Sequence, residues 1–75
     1  MGEAVRLHVE VDGDDIVVTM RGTEFRVTYH KDPSPPGLVA HAWRNSPGSG
    51  VSQKDFLERA WRVANDKARE IGWIV

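Results

Sequence analysis

Apolar and polar residues alternate from the start of the chain, with Val5, Leu7, Val9 and Val11 separated by Arg6, His8 and Glu10. A period of two puts one kind of side chain on each face of a strand, so this pattern predicts a half-buried strand over residues 4–11. Asp12-Gly13-Asp14-Asp15 supplies turn residues, and a second strand follows over 16–21. Gly22-Thr23 fits a two-residue hairpin loop with glycine first, as a type II′ turn requires. A third strand then runs over 24–30. The two turn assignments test each other. Closing the first places Leu7, Val9 and Val11 opposite Met20, Val18 and Ile16. Closing the second places Met20, Val18 and Ile16 opposite Phe25, Val27 and Tyr29. Every opposed pair on that face is then apolar, and a one-residue slip in either hairpin would scramble it.

Lys31 to Gly37 contains three prolines and reads as a stiff, extended connector. A fourth strand is expected over 38–43. Its alternation is ambiguous, and the reading adopted turns Leu38, Ala40 and Ala42 inward and Val39, His41 and Trp43 outward. A Gly- and Ser-rich loop leads from there to the helix. Ser52 is suited to the N-cap with Asp55 three residues on, and Gly72 is suited to the position just past the end, which predicts a helix over 53–71. At 100° per residue Phe56, Leu57, Ala60, Trp61, Val63, Ala64, Ala68 and Ile71 fall in one stripe. Only Lys67 intrudes, on a stem long enough to reach solvent. Ala60, Ala64 and Ala68 form a small-residue ridge that lets the helix axis approach the sheet. The expected fold is therefore α+β, a three- or four-stranded antiparallel meander with one C-terminal amphipathic helix packed on one face.

Composition narrows what such a chain can do. Its 75 residues leave room for one domain, residues 1–75. Net stability is then roughly 4 to 11 kcal/mol at typical per-residue values, so a second copy would add useful apolar burial. Ten basic against eleven acidic residues give a net charge of -1, which argues against a chain built to coat nucleic acid or an anionic membrane. There is no cysteine, which excludes disulfides, thiolate metal sites and cysteine nucleophiles. Met1 to Arg6 holds neither a basic n-region nor an apolar h-region, and no apolar run reaches membrane-spanning length. A cytoplasmic location without membrane association is expected.

The open sheet face is the first candidate for function. The register sets Arg6 beside Arg21, and the next row reads His8, Thr19, Arg26, continuing to His41 if the fourth strand pairs as above. Opposed arginines cost stability unless an anion offsets them. Arg6, His8, Arg21 and Arg26 are therefore the candidate binding residues, for a small anion or a nucleic-acid backbone. The competing account is a solvated face whose guanidiniums splay apart or pair with Glu10 and Glu24. His8, His30 and His41 lack metal-ligand spacing, so no metal is expected. The acidic turn lacks the ligand spacing of a calcium loop. Pro33-Ser34-Pro35-Pro36 matches the bare PxxP pattern without anchoring neighbours and reads as a linker. Opposite charges four apart on the helix, such as Asp55 and Arg59, describe a solvated face. No serine, histidine or carboxylate stands in a catalytic context, so neither enzymatic activity, catalytic residues nor a cofactor is expected.

The chain also carries more large apolar residues than the core needs. Val39, Trp43, Trp73 and Ile74 are the candidate interface residues, with Trp73 also able to fold back in the contact that accompanies a Schellman cap. They suit a homodimer or a protein partner. The stretch from Ala64 to Ile74, with the strand from Phe25 to Tyr29 and its proline loop, resembles a group of short bacterial proteins of uncharacterised function. That resemblance brings no activity or site residues with it. In outline the fold is also similar to plant AP2-type and integrase arm-type DNA-binding domains, but those are basic and aromatic on the open face. The likeness is of architecture, and function does not travel with it. The expected function is a small non-enzymatic interaction module, with anion or nucleic-acid binding as the alternative.

Overall fold

The alternating segments fold as four antiparallel strands in sequence order, β1 (Leu7–Asp12), β2 (Asp15–Met20), β3 (Arg26–Lys31) and β4 (Leu38–Arg44), followed by α1 (Gln53–Glu70). This is an α+β meander with a C-terminal helix. The computed structural model describes residues 7–34 and 37–73. Residues 4–6, expected in the first strand, lie outside the described residues.

The expected register holds through both hairpins. Leu7, Val9 and Val11 pair with Met20, Val18 and Ile16, and Ile16 and Val18 pair with Tyr29 and Val27. The second turn differs in detail. Thr23 N–H donates to the Met20 carbonyl at 3.2 Å, so the central pair is Arg21-Gly22 and not Gly22-Thr23. Gly22 has φ +79 at the third turn position, where a type II turn needs positive φ. The Thr23 hydroxyl donates to the same carbonyl at 2.9 Å and accepts from Phe25 N–H at 3.2 Å. Phe25 consequently precedes β3 and is not a ladder partner of Met20, although its ring still enters the core.

The proline connector is a closed loop and not an extended spacer. Asp32 N–H donates to the Gly37 carbonyl at 2.9 Å, and the Asp32 carboxylate accepts from Ser34 N–H at 2.8 Å. Its two ends therefore meet, and β3 and β4 form a third hairpin. Ser46, in the next loop, is buried, and its Oγ accepts from Glu24 N–H at 3.0 Å. That bond ties the loop entering α1 to the loop entering β3.

The helix ends are those expected. Ser52 Oγ accepts from Asp55 N–H at 3.1 Å. Gly72 N–H donates to the Arg69 carbonyl at 3.2 Å and Trp73 N–H to the Ala68 carbonyl at 2.8 Å. With Gly72 at φ +84 this is a Schellman cap, which satisfies carbonyls left over at the last turn. α1 lies chiefly over β2, flanked by β1 and β3. Phe56, Ala60, Ala64 and Ala68 are fully buried on Ile16, Val18, Met20, Phe25, Val27, Tyr29 and Leu38. Phe25 and Phe56 stack with centroids 4.7 Å apart and planes 12° from parallel.

The predicted helical stripe is wider than the contact. Trp61, expected between helix and sheet, is 37% exposed with its ring centroid 5.6 Å from that of Tyr29, and Ile71 is exposed as well. Four small or flat residues spaced by four settle onto the sheet, and Trp61, one position round from Ala60, is carried to the flank beside β3.

Candidate functional site

The open face is ordered in three cross-strand rows, because directly opposed residues in an antiparallel pair share a face. The first reads His8, Thr19, Arg26, Arg44, the second Glu10, Val17, Thr28, Ala42, and the third Asp12, Asp15, His30, Val39. One end is basic and the other acidic. The first and third rows are four residues apart along β1, β2 and β3, about 13 Å at a strand's rise per residue. That exceeds the roughly 8 Å Debye length at physiological salt, so the two ends act independently on solutes.

β4 corrects the sequence reading at two points. Thr28 pairs with Ala42 while Tyr29 pairs with Ala40, so His41 is an extra residue, a β-bulge. A bulge reverses the alternation beyond it. Leu38 and Ala40 face the helix as expected, but Ala42 is turned to the open face and Trp43 to the helix side. The partner of Arg26 is consequently Arg44 and not His41. His41 sits instead near His30, with ring centroids 6.0 Å apart. Leu38 and Trp43 are an odd five positions apart, so both can face one way only if the strand carries an extra residue.

The other candidates fall as follows. Arg6 lies outside the described residues. His8 and Arg26 share the basic row, whereas Arg21 is exposed in the turn. His8 Nε2 is 4.0 Å from a Glu10 oxygen. Arg44, assigned to a loop from sequence, is the residue that reasoning missed. Val39 and Trp43 are 46% and 57% exposed on β4. Trp73 is half-buried against the core and lies under the Lys31 ammonium, 5.5 Å from its ring centroid, so much of its surface is already used within the chain. Ile74 lies outside the described residues. Val17, apolar on the open face, is only 9% exposed because its neighbours cover it.

At the acidic end His30 Nδ1–H donates to Asp15 Oδ1 at 2.8 Å. Asp14, Asp15, His30, Asp32 and His41 border one shallow concavity, yet among the described residues no group of three such side chains could hold a metal ion. No helix among the described residues is long and apolar enough to cross a membrane.

Trp43 emerges beside Val27 and borders a groove with Gln53, Lys54, Leu57 and Glu58 of α1. The helix stops short of covering β4, which leaves Trp43 uncovered, and among the described residues no strand pairs with the outer edge of β4.

Tyr29 is the chain's one tyrosine. Burial pushes its phenol from the ordinary 10.0 up to about 12. The folded state thus holds the ring neutral where the unfolded chain ionises. Its contribution to stability is complete below pH 10.0 and is lost as pH rises to about 12. Across that window stability should fall by on the order of 2 kcal/mol. Tyrosinate absorbance of the folded chain checks this directly, and a titration at the value of free tyrosine contradicts it.

No protein-family profile, curated protein or solved structure matches the chain.

Proposed function

We propose that the chain is a non-enzymatic interaction module that self-associates through β4. The observation that carries this reading is an edge strand of seven residues that exposes two large apolar side chains, Val39 and Trp43. Edge strands present unpaired N–H and C=O groups and are ordinarily blunted with charge. β1, the other edge, has His8, Glu10 and Asp12 for that purpose. β4 has Arg44 at its end and a bulge in its middle, with apolar surface on both sides of the bulge.

The favoured occupant is a second copy of the chain. A two-fold axis that pairs β4 antiparallel with its copy sets the basic end of one open face beside the acidic end of the other, twice over, as an isologous contact requires. The same pairing covers Trp43 and adds apolar burial to a small core.

Light scattering over a range of concentrations tests the reading. A mass twice that of the chain is expected, with Val39→Lys returning it to a monomer by placing a charge on the edge. A wild-type chain that stays monomeric at the highest concentration removes the proposal's support.

A further inference from the structure

Arg26 and Arg44 are directly opposed across β3 and β4. Side chains in that relation have Cβ atoms about 4.5–5.5 Å apart, and like charges placed there are destabilising. Neither guanidinium has a carboxylate partner among the described residues, where the carboxylates in close contact with a basic side chain are Glu10 with His8, Asp15 with His30 and Glu70 with Lys67. The aspartates of the open face stand in the far row, beyond screening distance. Packing gives no reason for the pair either, since both side chains are exposed.

The surface around the pair is concave. Arg26, Thr28, Ala42, Trp43 and Arg44 line a concavity of about 280 Å³. Its floor is the Thr28–Ala42 pair, one hydroxyl and one methyl, low enough for a compact group to settle on the sheet between the guanidiniums. The geometry points to a phosphate-binding site formed by Arg26, Arg44 and Thr28. Each arginine offers a planar fork of N–H donors to a pair of oxygens, and the Thr28 hydroxyl offers one more donor. A carboxylate has only two oxygens, which one guanidinium satisfies. A phosphate group has further oxygens for the second, and its charge offsets the repulsion between the two.

The site does not rest on self-association. Val39→Lys leaves both arginines in place, so that variant should bind phosphate whether or not the wild type is a dimer. Titration of the labelled chain with inorganic phosphate, followed by amide NMR, is the test. Shifts should centre on residues 26–28 and 42–44 and weaken as salt is raised. Arg44→Gln should lose about tenfold in affinity, the worth of a charge-assisted hydrogen bond. A mononucleotide and its unphosphorylated nucleoside separate the sources. Equal affinity for phosphate and mononucleotide identifies the phosphate alone as the ligand, and tighter mononucleotide binding with changes at Trp43 identifies a phosphate carried on an aromatic base. The proposal is overturned by any of three results. These are no shifts at low salt, equal shifts from the nucleoside, or unchanged phosphate binding by an Arg26→Gln, Arg44→Gln double variant whose spectrum shows it folded.

Discussion

Phe56→Ala should destabilise the chain by about 3 to 5 kcal/mol. Phe56 is fully buried and stacked on Phe25 at 4.7 Å between centroids, so truncation removes a ring and leaves a void against its partner. α1 touches the sheet elsewhere mainly through alanines, which cannot reach across to refill it. In a domain with roughly 4 to 11 kcal/mol in total, such a loss removes a large part of stability. Urea denaturation of wild type and variant measures it. A change below about 1 kcal/mol, the size of an ordinary surface effect, means the stack does not anchor the helix.

Ala64→Leu should cost about 1 to 3 kcal/mol through overpacking, whereas Arg62→Ala should stay within about 0.5 kcal/mol. Ala60, Ala64 and Ala68 have no exposed surface at all, so the ridge they form sits directly on the sheet. A larger side chain at Ala64 must lift the helix or displace β2. Arg62 is exposed on the far side of the same helix. The same denaturation experiment reads both variants, and Arg62→Ala emerging as the more damaging change means that the buried stripe is on the other face. Because the open sheet face is defined as the side away from the helix, that outcome also displaces the arginine pair and the rows built on it.

The row of His8, Thr19 and Arg26 is legible in the sequence, and the part of the candidate surface that is not has a specific cause. His8, Thr19 and Arg26 were assigned to one row because strong alternation in β1, β2 and β3 leaves a single register that keeps Val9, Val18 and Val27 together. The row's last member was misassigned because β4 reads Leu-Val-Ala-His-Ala-Trp-Arg, in which small and apolar residues occupy both phases. A periodicity argument has no contrast to work with there.

The sequence by itself determined the order and type of the elements, the registers of the first two hairpins, the Ser52 cap and the Schellman ending at Gly72. Each depends on residues within a few positions of one another, where turn chemistry, capping groups and alternation act directly on the backbone. Tertiary structure alone decided three further things. The bulge at His41 arises because Leu38 and Trp43 can both face the helix only if β4 gains a residue against β3. Trp61 stays partly exposed because the helix rests on its alanine ridge and leaves the flank open. The Arg26–Arg44 pair follows from the bulge, since moving one residue out of the ladder changes every partner beyond it. These outcomes are set by what lies across the strand or beneath the helix, at a sequence distance that local pattern does not span.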